Sequence, residues 1–315
     1  MPPSKLAALR RPRPLEEGDV VRVVAPASPF DRERLAAGLD VLRGWGLRPT
    51  HRDDLFERRH YFAGPVRRRV DELHEAFEDD ECAAIFAVRG GYGVATLLPL
   101  LDPGRMRTPK IVVGCSDLTA LLGWTVQHAG TVALHGPMVL GLGRADDAAG
   151  AERLRKLLFE TEKPAALESA LGDPLEFCMA PGVARGRAVG GSLSILASLC
   201  GTPFQVRTDD AVVFLEDVGE RPYRIDRLLV QLVQAGTFER ARAVVLGDFT
   251  RCDEPGGGVR ARDALDRVFR ELSIPVLAGV PFGHGSPNFA FPVGAEVEVD
   301  AGRGVVRFRE SLLAR

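Results

Sequence analysis

KIVVGCSDLTALLGW, residues 110–124, changes its period within two or three residues. Ile111, Val112 and Val113 form a short β-branched run suited to a buried strand, and the segment from Cys115 onward resumes helical spacing. A strand that runs straight into a helix is one half of a βαβ unit, so the stretch predicts a parallel sheet with helices on its faces. Upstream, VVRVVAP (20–26) reads as a buried strand. Leu35, Leu39 and Leu42 mark one face of a helix that stops at the glycines of RGWG. A further helix carries Val70, Leu73 and Phe77, and AAIFAV (83–88) is a strand that ends in the turn RGGYG (89–93). Downstream, VALHG (132–136) is a fourth strand.

Residues 143–187 lack a sustained strand pattern and include the turn-rich EKPAALESALGDP. The chain therefore divides into an N-terminal α/β domain (1–150), an interdomain connection (151–187) and a C-terminal domain (188–315). In the last of these GGSLSILASLC reads as helical and AVVFLED (211–217) as a strand. Ile225, Leu228, Leu229, Leu232 and Val233 mark an amphipathic helix, AVVLGDF (243–249) a strand, and Leu265, Val268, Phe269 and Leu272 another helix. AEVEVD (295–300) and GVVRFRE (304–310) alternate with period two around Ala-Gly-Arg-Gly, which predicts an antiparallel hairpin.

The composition narrows the partners. With 45% hydrophobic and 27% charged residues, 315 residues suffice for two domains at roughly 150 residues each. A formal net charge of −2 leaves no basic excess to neutralise phosphates, which argues against nucleic acid or an anionic membrane and for a small-molecule partner. The five cysteines form no C-x-x-C pair, so neither a disulfide framework nor a thiolate zinc site is expected. The proline- and arginine-rich N-terminus lacks the apolar core of a secretory signal, and no stretch reaches transmembrane length. These features predict a cytoplasmic protein.

Ser116 sits where a buried strand gives way to a helix, which presents its hydroxyl at the C-terminal edge of the sheet. The next amide, of Asp117, lies at a helix N-terminus, where unsatisfied N–H groups and the dipole favour an oxyanion. Serine is equally a preferred N-cap, so the segment alone leaves both roles open. It is not a G-x-S-x-G elbow, because Leu118 stands in place of the second glycine. The turn RGGYG fits neither G-x-G-x-x-G nor a P-loop; it is a tight turn or the source of a second oxyanion donor at Gly91. Glu216 ends a strand, and His284 lies in the glycine- and proline-rich loop PFGHGSPN. His51, His60, His74, His128 and His135 show no metal-ligand spacing, so no metal or other cofactor is expected. Arg89, Arg224 and Arg227 could hold substrate carboxylates, or simply be solvated or paired.

Taken together, IVVGCSDLTALL, HGPM, GGSLSIL, LEDVGERPYRIDR and GHGSPNFAFPVG resemble the successive signature blocks of the LD-carboxypeptidase family of serine peptidases, which includes the microcin-resistance hydrolases. The resemblance runs from about Val20 to Val299. It implies a flavodoxin-like N-terminal domain with a parallel sheet, a smaller β-rich C-terminal "swivelling" domain, and a homodimer. It also implies a triad of Ser116, Glu216 and His284, with the amides of Asp117 and Gly91 as oxyanion donors. The implied substrate is a murein tetrapeptide of cytoplasmic cell-wall recycling, losing its terminal D-alanine at an L–D bond. The rival within the family is hydrolysis of a peptidyl or aminoacyl-nucleotide amide, and the rival outside it is a non-catalytic α/β metabolite-binding protein.

Overall fold

The computed structural model describes residues 8–314. Residues 1–7, which belong to the stretch read above as lacking an export signal, and Arg315 lie outside the described residues. The chain forms two compact units. One runs to Glu162 and takes back Phe289–Val293 and the end of the chain from Leu312; the other comprises Lys163–Asn288 and Gly294–Ser311.

The first unit contains, in order, β1 (Val20–Val24), α1 (Arg32–Gly44), β2 (Arg48–Thr50), α2 (Val66–Glu78), β3 (Cys82–Ala87), β4 (Ile111–Gly114), α3 (Thr119–Gln127), β5 (Ala133–His135), α4 (Val139–Leu142) and α5 (Ala148–Phe159). The second contains β6 (Leu167–Glu168), α6 (Pro174–Phe177), β7 (Cys178–Ala180), β8 (Val183–Ser192), α7 (Leu193–Leu199), β9 (Ala211–Val218), α8 (Pro222–Gln234), β10 (Ala243–Thr250), α9 (Ala261–Phe269) and β11 (Val276–Leu277). The chain then gives β12 (Phe291–Val293) to the first sheet and β13 (Glu296–Asp300) and β14 (Val305–Phe308) to the second.

Among the described residues the first sheet has the order β2-β1-β3-β4-β5-β12, parallel throughout except for the antiparallel edge strand β12. The 2-1-3-4-5 order is that of the flavodoxin-like folds, as the resemblance implies. Its inner strands β1, β3 and β4 are buried on both faces except at Arg22 and Ala83, which is why they read as predominantly apolar runs and not as alternating ones. Phe86, Val113, Leu134 and the α1 residues Leu35, Leu39 and Leu42 share its core. Asp31 caps α1 by accepting the Glu33 and Arg34 amides at 2.8 and 3.2 Å.

The second sheet has the order β6-β14-β13-β8-β9-β10-β11-β7. Its centre, β8 to β11, is parallel, and antiparallel strands flank it on both sides. The hairpin expected at 295–310 is β13 and β14, paired from Val297↔Phe308 to Asp300↔Val305.

Two sequence expectations need correction. Residues 151–187 are not a mere connection: α5 buries Leu154, Leu157 and Leu158 in the first core, and β6, β7 and the start of β8 belong to the second sheet. These strands are only two or three residues long or carry the charged run of β8, so they show no pattern. In GGSLSILASLC the Gly-Gly-Ser portion ends β8, with Gly190 and Gly191 at φ of 115° and 141°, and the helix begins at Leu193. No element is predicted from the sequence at β12, which pairs with β5 at the edge of the first sheet, the position that Pro292 permits.

Gly38 fixes the approach of α1 to α4: a Cβ there would lie 2.0 Å from the carbonyl oxygen of Val139. Gly38→Ala gains about 1 kcal/mol of helix propensity but must displace backbone, so the expected net result is a loss of about 1–3 kcal/mol. A lower midpoint in chemical unfolding checks it; an unchanged or higher midpoint contradicts it.

Candidate active site

In the first unit, β4 ends at Gly114 and the backbone turns at once into a single 3-10 turn, Ser116–Leu118, before α3. A Cβ on Gly114 would fall 2.5 Å from Leu118 Cβ, so only glycine lets the turn fold back this tightly. Ser116 has φ +61°, one of four non-glycine residues with positive φ among the described residues. Such a conformation costs about 1–3 kcal/mol and is the geometry in which a strand-to-helix turn exposes a serine hydroxyl. The capping role left open by the sequence does not hold: Cys115 precedes the 3-10 turn and Leu118 stands in the N-cap position of α3. Cys115 is buried, whereas Ser116 is partly exposed.

The turn RGGYG packs directly against this serine. A Cβ built on Gly90 would lie 2.9 Å from Ser116 Oγ and 3.3 Å from the Asp117 amide nitrogen. The hydroxyl and the amide thus border one small space that exists because residue 90 has no side chain. Gly91, at φ +120°, faces the Ser28 hydroxyl instead, 2.3 Å from where its Cβ would be. Ser28 Oγ accepts the Tyr92 amide at 3.1 Å. Ser28 lies just past β1 and Tyr92 just past β3, the point where the strand order reverses and where open α/β sheets bind their ligands.

Buried polar groups hold these loops in place. The Asp117 carboxylate accepts the Val94 amide at 2.9 Å; burial raises its pKa, opposed by that bond and by the Arg69 charge. Arg69, fully buried in α2, donates Nη1 to the carbonyls of Pro26 (2.8 Å) and Gly93 (3.1 Å), one in each loop. Beside it, Arg68 and the buried Glu72 pair at 2.6 Å, and Glu72 accepts the Ala25 amide at 2.8 Å. Burial pushes Glu72 up to about 7. Sequence reading missed Gly90 and Arg69. Gly90 was signalled by its place in RGGYG, whereas Arg69 is one of three consecutive arginines and carries no distinguishing mark.

In the second unit, Glu216 lies in the final turn of side chains on β9, and His284 lies in the loop that follows β11. Glu216 is fully buried, and His284 Nδ1–H donates to its Oε2 at 2.6 Å. A carboxylate only accepts, so the bond fixes the Nδ1–H tautomer and leaves Nε2 as a proton acceptor. Burial opposes protonation of this imidazole, but the hydrogen bond and charge of Glu216, with Asp217 behind it, outweigh that. The net effect raises its pKa above that of an ordinary imidazole.

Two groups clamp the histidine loop from either side. Asn288 Oδ1 accepts the Gly283 amide at 3.1 Å, and the Asp248 carboxylate accepts the Gly285 amide. A Cβ on Gly285 would lie 2.2 Å from Asp248 Oδ2. Burial and the charge of Glu216 raise Asp248 to about 6. Neither clamp residue stood out in the sequence, since each is a common loop or strand-end polar residue. Of the arginines, Arg89 bonds the carbonyl of Gly90 at 3.1 Å, Arg224 pairs with Glu220, and Arg227 lies 5.5 Å from the Tyr223 ring centroid.

A strained serine at a strand end and a buried carboxylate–imidazole pair are components of hydrolytic sites. Residues 21–136 match the LD-carboxypeptidase N-terminal domain and residues 185–299 its C-terminal domain, and the chain belongs to the LD-carboxypeptidase family. It is similar to a putative carboxypeptidase of Streptomyces coelicolor, at 40% identity over 95% of this chain and 96% of that one. It is also similar to the murein tetrapeptide carboxypeptidase of Pseudomonas aeruginosa, at 33% identity over 90% and 94%. Among solved structures, the muramoyltetrapeptide carboxypeptidase of Oxalobacter formigenes superposes with a TM-score of 0.80, at 26% identity over 92% of this chain and 97% of that one. The microcin C7 self-immunity protein MccF superposes with a TM-score of 0.87, at 23% identity over 96% and 99%. The chain is thus a peptidase of carboxypeptidase type with the two-domain α/β fold of these structures.

Glu216→Gln removes the charge that raises the His284 pKa while keeping a hydrogen-bonding group in place. The imidazole should then titrate at lower pH than in the parent, as read by NMR of histidine-labelled protein. An unmoved titration would show that Glu216 does not control the charge of His284.

Proposed function

We propose that this protein is a serine LD-carboxypeptidase that removes the terminal D-alanine from murein tetrapeptides, working in the cytoplasm as a homodimer. The observation that carries the reading is the buried Glu216–His284 pair at 2.6 Å, which leaves Nε2 of the imidazole as a base. In the proposed reaction Ser116 Oγ attacks the carbonyl of the last peptide bond as His284 takes its proton. The tetrahedral oxyanion is held by the amides of Asp117 and Gly91. His284 then returns the proton to the leaving amine of D-alanine, and water hydrolyses the acyl-enzyme by the same route. Each oxyanion donor contributes about 3–4 kcal/mol of transition-state stabilisation.

The tetrapeptide is favoured as substrate by the 33% identity, over nine-tenths of both chains, to the Pseudomonas aeruginosa enzyme named for it. Hydrolysis of an aminoacyl-nucleotide amide is the rival reading within the family; the likeness to MccF, at 23% identity, speaks for the fold alone. Among the described residues no helix is long and apolar enough to cross a membrane.

Purified protein should release free D-alanine from L-Ala-γ-D-Glu-meso-diaminopimelate-D-Ala and little or none from the peptide ending in L-alanine. Inverting that centre exchanges methyl and carboxylate and misplaces the carbonyl, which lowers the rate by about a hundredfold. Equal rates on both diastereomers, or activity confined to an aminoacyl-nucleotide amide, would reject the carboxypeptidase reading.

Ser116→Ala should fold normally and lose about four orders of magnitude or more in kcat, while Cys115→Ala stays active. Near-normal turnover by the serine variant removes the mechanism. In the parent, kcat/KM should rise with pH as His284 loses its proton. Because Glu216 raises the His284 pKa, the midpoint should lie on the alkaline side of an ordinary imidazole. A pH–rate profile checks the sign.

A further inference from the structure

Three aromatic rings stand beside the nucleophile's turn without a role in the reaction above. Tyr61 is 60% and Tyr92 52% exposed, and their centroids lie 5.5 Å apart. Phe62 backs both, at 4.5 Å from Tyr61 and, nearly parallel, at 5.7 Å from Tyr92. The group is rigidly mounted. Arg59 and Phe62 exchange both backbone hydrogen bonds at 3.0 Å, closing a tight turn with His60 and Tyr61 at its tip. His60 adopts φ +54°, a strained conformation for a residue with a side chain. Gly93 allows the other loop to lie against Phe62, since a Cβ there would come within 2.7 Å of the Phe62 ring and of Arg69 Nη1. The buried Arg69 guanidinium sits 4.5 Å from the Phe62 centroid and supports it from below. Two large, exposed rings fixed in this way resemble a recognition surface more than a leftover of packing.

We propose that Tyr61 and Tyr92 form a carbohydrate-stacking subsite that receives the muramoyl ring of a sugar-linked tetrapeptide. This deepens the carboxypeptidase reading and rests on it. The patch is continuous with the candidate nucleophile, because Tyr92 follows by two residues the glycine that abuts Ser116. A pyranose offers one apolar C–H face and a polar rim, matching a phenol ring with its hydroxyl edge. The reach also fits. From the last peptide bond of a tetrapeptide to its N-terminal end is about 10 Å of extended chain. Two residues of backbone from Gly90 cover up to about 7 Å, and the Tyr92 and Tyr61 rings extend the surface beyond that. A ligand lacking the sugar would leave these rings in water.

The test compares muramoyl-tetrapeptide with the free tetrapeptide in the parent, Tyr61→Ala and Tyr92→Ala proteins. Each substitution should lower kcat/KM for the muramoyl substrate about tenfold, chiefly through KM, and should lower it for the free peptide by a clearly smaller factor. Calorimetric binding of both peptides to Ser116→Ala, with and without Tyr61→Ala, should show the same difference without turnover. Equal losses on both peptides, or none, overturn the subsite. A change of oligomeric state by light scattering in the tyrosine variants also overturns it, because the rings would then face a second copy of the chain. If the parent cleaves neither peptide while the Ser116→Ala protein still binds the muramoyl form through Tyr61, the carboxypeptidase reading falls and the sugar subsite stands.

Discussion

The positive φ of Ser116 is the constraint around which the first unit is arranged. A backbone in this region relaxes unless its neighbours over-determine it. The restraints act from both sides: Gly114 admits Leu118 on one, and Gly90 admits the serine side chain on the other. The Asp117 carboxylate ties the turn to Val94, and Arg69 ties Gly93 to Pro26. Burying a guanidinium is expensive, by several kcal/mol for an ion without partners. Asp117 and the two carbonyls offset part of that, yet burial still lowers the Arg69 pKa. The first unit therefore spends stability at one place to hold three loops and a strained residue in register.

The second unit solves a different problem, which is to place one imidazole among three carboxyl groups without letting them act alike. Glu216 and Asp217 are consecutive on β9, so their side chains leave opposite faces of the sheet. Glu216 reaches His284, while Asp217 accepts the amides of Ser194 and Val218 at 2.7 and 2.8 Å. Burial raises Asp217 to about 6, and Asp248 stands at a similar value while bonding the Gly285 amide. Position on the strand thus decides which acid meets the histidine, and the other two fix the backbone around it.

The parallel strands, their helices and the C-terminal hairpin were legible because each is long enough to show its period: Val20–Val24, Ile111–Gly114 and Ala211–Val218 are predominantly apolar, the first broken only by Arg22 and the last by Glu216 and Asp217 near its end. The edge strands were not. Two- and three-residue strands such as Leu167–Glu168 and Phe291–Val293 owe their pairing to neighbours distant in sequence. Ser116, Glu216 and His284 were singled out as candidates by their strand-end and loop positions and a family resemblance. The residues that orient their surroundings were hidden, because nothing local separates Arg69 from Arg67 and Arg68, or Asp248 from any other acid at a strand terminus.

The sheet topology explains why the chemistry collects where it does. In the first sheet the chain leaves β1 for β2 on one side and later enters β3 on the other. The loops after β1 and β3 must therefore diverge, and the gap between them opens at the carboxyl ends of the strands. Ser28, Gly90, Gly91 and Tyr92 line that gap, and the next strand, β4, delivers Ser116 beside it. The same ends face helix N-termini, whose free amides favour developing negative charge. In the second sheet β8 to β11 run in sequential order and open no such gap. The loop that carries His284 there needs another support, and the end of β10 supplies it. Asp248 donates its amide to the Phe282 carbonyl at 3.0 Å and accepts from Gly285, so strand pairing is extended into the loop on both sides of His284. At both places buried side chains steady the loops: Asp117 and Arg69 around Ser116, and Asp248 beside His284.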